Sequence, residues 1–577
     1  MQKFFFRLHL SCSLLGLIVI AACSPSQPPE PIDVGSNPDL AAQSSQFKQE
    51  VINVVEGVYV AIGYGLANSV LLEGDDGVVI IDTMESAEAA REVKEAFNAI
   101  TSKPVRAIIY THFHSDHTQG AAVMAGNDNP EVYAHQSTLE HLARIASVTR
   151  ETTYRRAMRQ FGTLLPAGGL VNCGIGPQLK YTENNTIALL PPTRTFGNDP
   201  LELDIAGLKL VLVHAPGETP DQIFIWLPQK KVLLPADNFY KSFPNLYAIR
   251  GTAYRDVTQW VKSLDKMRVL GAEYLVPHHT RPITGADNIF ETLTHYRDAI
   301  QFVHDQTIRL MNQGLPPLEI VQRVKLPPHL ARQPYLHEYY GTVTWSVRAI
   351  FDGYLGWFGG NATDLFPLSP DERARRFADL AGGEQKLIEH ARQAVARKDY
   401  QWALELSDQL LQINPASEAY RKLKAEALRS LGSRQIAATA RNYYLTQALE
   451  VENRLHIGMM KIKDKEMVQQ VTLAGIFDEM AVHLDPEKSA DVDLVAGFRF
   501  PDTGQAYTVH VRRGVAEIQP QFPANPDISL TVDSLVWKEV VTGFRNPALA
   551  LVKDVDKTGG TLEIIKFLNL FKSDDGQ

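Results

Sequence analysis

The first half of the chain alternates short apolar runs with amphipathic stretches. The runs Gly77–Asp82 and Val105–Tyr110 flank a helical pattern over Ala87–Ile100. Three further apolar runs cover Leu208–His214, Gln222–Leu227 and Lys231–Leu234. Apolar runs of about four to eight residues are typical of buried strands, and their alternation with helical stretches predicts a layered α/β domain. We assign this domain to residues 47–288.

The pattern changes twice further along the chain. Residues 289–452 carry helical periodicity with Gly and Pro breaks, which predicts an all-α domain. Residues 453–577 begin with alternating runs at 493–500, 506–511 and 527–533 and continue with helical stretches. Strands followed by helices predict a C-terminal α+β domain.

The N-terminus carries a targeting pattern. Lys3 and Arg7 precede the apolar run Leu14–Ile20, which is shorter than the ~20 residues of a membrane span and is typical of a signal peptide. The next residues, Ala21-Ala22-Cys23, resemble the lipobox of bacterial lipoproteins. The resemblance implies removal of residues 1–22, lipidation of Cys23 and a lipid-anchored protein of the bacterial cell envelope, on the periplasmic face of the outer membrane. A plain signal peptide that contains a cysteine is the alternative.

Composition narrows the chemistry. Residues 23–46 are rich in Ser, Pro, Gln and Asn, which predicts a disordered tether. With 57 basic against 66 acidic residues, the chain has no global basic footprint, and we expect no nucleic-acid partner. Three cysteines are too few for a disulfide scaffold or a four-thiolate site. Any metal must therefore be held by His and carboxylate side chains.

One motif supplies such ligands directly after a predicted strand. Tyr110 is followed by Thr111-His112-Phe113-His114-Ser115-Asp116-His117. Alternate side chains of an extended segment share a face, so His112, His114 and Asp116 can converge. A turn after Asp116 would direct His117 to a second ion. Imidazole nitrogen and carboxylate oxygen suit zinc and similar divalent ions.

The pattern His-x-His-x-Asp-His resembles the signature of the metallo-β-lactamase superfamily. This resemblance implies an αββα sandwich, two Zn²⁺ ions and further ligands at loop ends. Glu218, Asp237 and His279 match the superfamily's positions, with His278 as the alternative to His279. One ion would be held by His112, His114 and Glu218, and the other by Asp116, His117 and His279, with Asp237 bridging. Asp116 and Asp237 are accordingly predicted to be catalytic.

Glu218 stands where most members of the superfamily have His, and it resembles the alkyl (alkyl/aryl) sulfatase branch. The segment Asn245–Gly251 resembles the sulfate loop of that branch. The resemblance implies substrate contacts from Asn245, Tyr247, Arg250 and Arg255, and a guanidinium matches an oxyanion bidentately. Surface charge or structural ion pairs are the alternative for the arginines. Asp237 departs from the branch, which more often has Glu there.

The remaining domains extend the resemblance. Residues 289–452 resemble the helical dimerisation domain of the branch, and residues 453–577 resemble its sterol-carrier-protein-like domain. The implied function is hydrolysis of alkyl sulfate esters to alcohol and sulfate by a metal-bridging hydroxide, in a homodimer acting on a small molecule. Another hydrolase of the superfamily (phosphodiesterase, lactonase or β-lactamase) and a non-catalytic lipid-binding lipoprotein are the alternatives. Attack at sulfur or carbon, the general acid, and primary, secondary or aryl substrates stay open.

Overall fold

The computed structural model describes residues 31–145, 148–182, 184–459, 468–469 and 471–571. The predicted signal peptide and Cys23 lie outside the described residues, so the lipid anchor stays a prediction. Among the described residues, no helix combines the length and apolar character needed to cross a membrane.

The first sheet of the N-terminal domain is built from strands that are neighbours in chain order. Its first four strands pair antiparallel, and its last four pair parallel. The strands are β1 Glu50–Val55, β2 Val58–Ile62, β3 Ser69–Glu73, β4 Val78–Ile81, β5 Val105–Ile109, β6 Glu131–His135 and β7 Arg194–Phe196.

The second sheet also follows chain order. Only β11 and β12 pair parallel within its described strands. The strands are β8 Leu201–Ile205, β9 Leu208–His214, β10 Ile223–Leu227, β11 Val232–Leu234, β12 Tyr274–Leu275 and β13 Ile283–Thr284. The predicted strands are therefore present, with ends shifted by a residue or two.

Side-chain alternation explains why the two sheets stack. Val60 of β2 and Ile225 of β10 belong to one apolar cluster between the sheets. Neighbouring side chains point to the outer faces, where helices cover them: Phe97 packs over the first sheet, and Trp260 packs with Phe224 over the second. The helices of this domain are Ala87–Asn98, Ser115–Thr118, Ala121–Ala125, Thr138–Ile145, Arg150–Phe161 and Val257–Arg268.

The middle of the chain is helical, as predicted. Its long first helix packs against Val257–Arg268 and so also covers the second sheet. The helices are Ala286–Met311, Pro317–Arg323, Pro328–Ala331, Val343–Leu355, Pro370–Ala381, Glu384–Ala396, Tyr400–Ile413, Glu418–Gly432 and Ala438–Val451.

The C-terminal domain packs helices on one sheet around Phe477, Phe498 and Trp537. The strand order is β16-β15-β14-β17-β18, formed by β14 Asp493–Phe500, β15 Gln505–Arg512, β16 Val515–Gln519, β17 Ile528–Val532 and β18 Val555–Thr558. The helices are Leu473–His483, Ser534–Val541, Pro547–Lys553 and Thr561–Asn569. The predicted fold class is thus confirmed: an αββα sandwich, an all-α domain and an α+β domain.

The prediction of a disordered tether over residues 23–46 is wrong for its C-terminal part. Residues Pro38–Gln43 form a helix that Asn37 caps by accepting from the amide of Asp39 at 2.9 Å. Leu40 is fully buried, and Phe47 just beyond is 5% exposed. Polar composition predicted disorder, but the burial of Leu40 and Phe47, together with a hydrogen bond from Asn172 to the Leu40 carbonyl at 3.1 Å, stabilises this short segment.

Candidate active site

The His-rich motif begins where strand β5 ends and is held in place by Asp82 at the end of β4. The Asp82 carboxylate accepts hydrogen bonds from the Thr111 amide at 2.8 Å and the Thr111 hydroxyl at 2.7 Å. It also accepts from Nδ1 of His117 at 2.6 Å. This last bond directs Nε2 of His117 away from Asp82 and towards the other ligands. Asp82 thus supports both the start of the motif and the orientation of His117.

The structure brings the predicted metal ligands together in groups whose candidate ligand atoms lie within 4.8 Å of one another. The groups are His112, His117 and Asp237; Asp116, His117 and His279; and His114, Glu218 and Asp237. Asp237 and His117 each occur in two groups, as expected of residues between two neighbouring ions. The second predicted set, Asp116, His117 and His279, forms one of these groups. Of the first predicted set, His114 and Glu218 lie together, while His112 is grouped with His117 and Asp237.

The structure distinguishes the two adjacent histidines. Nε2 of His279 lies 3.1 Å from Asp237 and 3.6 Å from Asp116, while its Nδ1 donates to the Leu66 carbonyl at 2.9 Å. His278 instead lies beside Asp82, with 3.6 Å between Nε2 and the carboxylate. Of the two histidines, His279 is the one that is grouped with other candidate ligands in the described part of the chain.

Buried polar atoms without hydrogen-bond partners indicate, independently of the motif, that the site fits divalent metal ions. Nε2 of His117, Oε2 of Glu218 and Oδ1 of Asp237 are buried and have no hydrogen-bond partner among the described residues. Buried polar atoms normally have partners, because leaving one unpaired costs free energy. These three atoms belong to the clustered groups, and their types are those that zinc prefers.

The electrostatics of the site agree with this interpretation. Burial lowers the pKa of His112 and of His114, so both imidazoles are neutral and can act as ligands. Burial acts the same way on His117, but the carboxylates of Asp237, Asp116 and Asp82 outweigh it and raise its pKa. The same carboxylates would favour a divalent cation, whose binding would displace the proton that they stabilise on His117.

The two predicted sulfate-binding arginines differ in their contacts. Nη1 of Arg255 donates to Oε1 of Glu218 at 2.8 Å and to the Asn245 carbonyl. Nη2 of Arg250 lies 3.2 Å from Nε2 of His114. Both guanidinium groups keep buried nitrogens without a hydrogen-bond partner in the described structure: Nη1 of Arg250, and Nε and Nη2 of Arg255. Arg255 thus forms a structural ion pair, which was the alternative to a substrate contact. Its Nε and Nη2 groups are still available as donors.

The remaining residues of the loop divide into lining and supporting positions. Tyr247, Arg250 and Arg255 line the cavity in front of the metal ligands. Asn245 is 2% exposed, lies outside that lining, and contributes its backbone: the carbonyl holds Arg255, and the amide donates to the Tyr240 hydroxyl at 2.8 Å.

The cavity measures about 2150 Å³ and connects two domains. Asp116, Glu218 and Asp237 lie in its wall on the side of the sandwich. The C-terminal domain contributes apolar side chains, among them Ile476, Met480, Trp537, Val540, Leu551 and Phe571. The site therefore combines a polar, metal-binding end with an extended apolar wall.

Sequence reasoning missed one buried acid close to the site. Glu85 is fully buried and accepts hydrogen bonds from the backbone amides of Leu66 and Lys180. An acid three residues after Asp82, at the end of an apolar run, was the available signal.

Family models match three parts of the chain. Residues 62–279 match the metallo-beta-lactamase superfamily, residues 317–454 match alkyl sulfatase dimerisation, and residues 461–577 match the alkyl sulfatase C-terminal domain.

Individual relatives agree with these matches. A linear primary-alkylsulfatase of Pseudomonas sp. (strain ATCC 19151) is 39% identical in an alignment of 526 positions that covers 88% of this chain and 98% of the relative. An (R)-specific secondary-alkylsulfatase of Pseudomonas sp. is 32% identical over 84% of this chain and 74% of its own length. The solved structure of the stereoselective inverting sec-alkylsulfatase Pisa1 from Pseudomonas sp. superposes with a TM-score of 0.87 at 29% identity, covering 95% of this chain and 88% of that one.

Replacing either adjacent histidine separates their roles. We expect His279→Ala to weaken zinc binding by more than the roughly 10–100-fold typical of residues that only support a ligand. His278→Ala is the matched control, because both side chains are fully buried, and its zinc affinity should stay within a few-fold of wild type. Zinc titration, with thermal unfolding in zinc and in chelator, measures both. Loss of zinc from His278→Ala alone would contradict the assignment.

Proposed function

Because the chain belongs to the alkyl sulfatase family of the metallo-β-lactamase superfamily, we propose that it hydrolyses alkyl sulfate esters to alcohol and sulfate with two zinc ions. One observation carries the proposal: Arg250 and Arg255 bring unpaired N–H groups to the wall of the cavity that contains the metal ligands. Two cations beside a metal centre favour a small, strongly charged oxyanion.

Two ions would share the ligands of the sequence-based sets. Asp116, His117 and His279, which form one observed group, would hold one ion. His114 and Glu218, which are grouped with Asp237, would hold the other together with His112, whose Nε2 lies 3.8 Å from Asp237. When bound, zinc ions lower the pKa of water from 15.7 to about 7 and so make hydroxide available at neutral pH. Asp116 and Asp237 lie where that chemistry takes place, and we propose them as the catalytic carboxylates.

The chain's own residues bind and orient the sulfate group. Arg250 would use its free Nη1, and Arg255 its free Nε and Nη2, as donors to the sulfate oxygens. Glu218 holds Arg255 through the 2.8 Å ion pair, which fixes the direction of the remaining donors. Donors held in advance stabilise negative charge on the sulfate as the ester bond breaks, without reorganisation during the reaction. Tyr247 lines the same wall and would contact the substrate.

The apolar wall of the cavity supports an alkyl chain as the other half of the substrate. Once the sulfate lies between the arginines and the metal ligands, the organic group must occupy the rest of the cavity. Most of the side chains that the C-terminal domain contributes there are apolar, including Ile476, Trp537 and Leu551. Removing an alkyl chain from water contributes about 0.8 kcal/mol per buried CH₂ group.

The helical domain carries an exposed apolar surface that supports assembly into a homodimer. The surface lies between Tyr354 and Leu380, and Phe366 is 95% exposed while Trp357 is 71% exposed. Its other large side chains are Leu355, Leu365, Leu368 and Phe377. So many exposed large apolar side chains within one short stretch of chain are unusual for a monomeric protein and favour an interaction site. It lies within the region that matches alkyl sulfatase dimerisation, and we propose that it packs against a second copy.

Replacing Arg250 tests the oxyanion site. We expect Arg250→Ala to lower kcat/KM for dodecyl sulfate by about 10²–10³-fold, as for the loss of one donor that stabilises charge in a transition state. Zinc content should stay at the wild-type level, because Arg250 belongs to none of the ligand groups. Arg106→Ala, which removes a guanidinium 3.1 Å from the surface carboxylate of Asp76, is the control. Unchanged activity in Arg250→Ala would remove Arg250 from the site.

A charge placed on the exposed surface of the helical domain tests dimerisation. We expect Phe366→Glu to convert the dimer into monomers, because burying an unpaired charge in an interface is unfavourable. Val269→Glu, on a side chain that is 70% exposed in the catalytic domain, should leave the dimer intact. Light scattering coupled to size-exclusion chromatography gives both masses. A monomeric wild type, or a dimeric Phe366→Glu, would count against this surface.

A further inference from the structure

Glu85 lies outside the ligand groups, yet it contacts a residue, Leu66, that itself contacts the candidate ligand His279. Its Oε1 accepts from the Lys180 amide at 2.8 Å and from the Leu66 amide at 3.1 Å. The carbonyl of the same Leu66 residue accepts from Nδ1 of His279 at 2.9 Å. Two hydrogen bonds, one to the amide and one to the carbonyl of the same residue, therefore link Glu85 to His279 through the backbone of Leu66.

The contact between Glu85 and the loop before Leu66 is unusually close. A Cβ atom added at Gly65 would lie 2.5 Å from Oε2 of Glu85, so only glycine allows the carboxylate to approach the backbone there. Glu85 itself is fully buried. Burial raises its pKa to about 7, and its hydrogen-bond partners in the described residues are backbone amides. Burying a carboxyl group costs free energy, so Glu85 is expected to make contacts that an apolar side chain could not make.

The turn that presents Glu85 also presents Asp82. Asp82 and Met84 have φ angles of 58° and 70°, in the left-handed region that non-glycine residues seldom occupy. This backbone directs both acids inwards: Asp82 contacts His117 directly, and Glu85 reaches His279 through Leu66. His117 and His279 belong to the same ligand group, with Asp116. One strained turn thus orients both imidazoles of one ion site.

We propose that Glu85 is a positioning residue for the zinc ion held by Asp116, His117 and His279. By accepting from the Leu66 amide, it fixes the backbone at this residue, so that the Leu66 carbonyl stays in place to accept from Nδ1 of His279. Nδ1 then carries the proton, and Nε2 is left free to bind the metal. Glu85 touches neither the substrate nor the metal. This role rests on the proposed two-zinc centre.

Two substitutions at Glu85 separate this role from simple packing. Glu85→Leu keeps the approximate volume and removes both acceptor atoms, and we expect zinc loss to a chelator to become about 10–100-fold faster for one of two ions. Glu85→Gln should restore near wild-type retention, because a single amide oxygen can replace Oε1, which accepts from both amides. Elemental analysis and the kinetics of zinc transfer to a chromogenic chelator measure retention without reference to activity.

Glu88→Leu is the matched control from the helix that follows the same turn. Oε2 of Glu88 accepts from the Thr186 amide at 2.9 Å, a contact of the same kind that leads to no ligand. Its zinc retention should equal wild type. If Glu85→Leu fails to fold, Gly65→Ala tests the same chain of contacts from the other side, because its Cβ would displace the carboxylate. That variant should also lose one zinc ion faster.

The outcomes distinguish the two proposals. A wild-type protein that binds no zinc would refute the proposed function itself. Two zinc ions in wild type, together with equal loss rates in the folded Glu85 and Gly65 variants, would overturn the role of Glu85 alone. Equally fast loss in Glu85→Leu and Glu85→Gln would also overturn it, since the oxygen acceptor would then not be what matters.

Discussion

The structure depends on the burial of several carboxylates at one point. Asp82, Asp116, Glu218 and Asp237 are each at most 8% exposed, and the last three share the cluster with four histidines. Unpaired buried charge is among the most unfavourable features of a folded protein. Arg255 balances Glu218, while His117 and His279 balance part of the rest. A divalent metal ion would supply further positive charge here, and its binding would then be coupled to the stability of this region.

The sandwich brings these groups together because its ligands come from both sheets. His112 follows β5 of the first sheet, whereas Asp237 follows β11 and His279 follows β12 of the second. The sheets are joined beside the site by a hydrogen bond from the Ile223 amide to the Thr111 carbonyl at 2.9 Å. Correct stacking of the two sheets is therefore a precondition for the site. The surrounding domains then add what the sandwich lacks, an apolar wall and a surface for a second copy.

Local sequence patterns predict the elements and the metal-ligand motif well. Contacts between residues far apart in the chain cannot be predicted from such patterns. The motif from His112 to His117 was recognisable because its ligands lie within one strand end and the turn after it. His278 and His279 could not be separated, since only the packing of the loop against Leu66 decides which imidazole faces the cluster. The ion pair between Arg255 and Glu218 and the contacts of Glu85 join segments far apart in the chain. The ordered structure of residues 38–47 could not be predicted, because composition does not show that Leu40 and Phe47 are buried against the rest of the protein.

The release of inorganic sulfate from dodecyl sulfate is the decisive test of the proposed function. Purified protein, stripped of metal and then reconstituted with zinc, would be given dodecyl sulfate, a phosphate diester and a lactone under identical conditions. We expect sulfate release from dodecyl sulfate that requires zinc and is far faster than hydrolysis of the other two esters. Faster hydrolysis of the phosphate diester or the lactone, or no sulfate release by zinc-loaded protein, would contradict it.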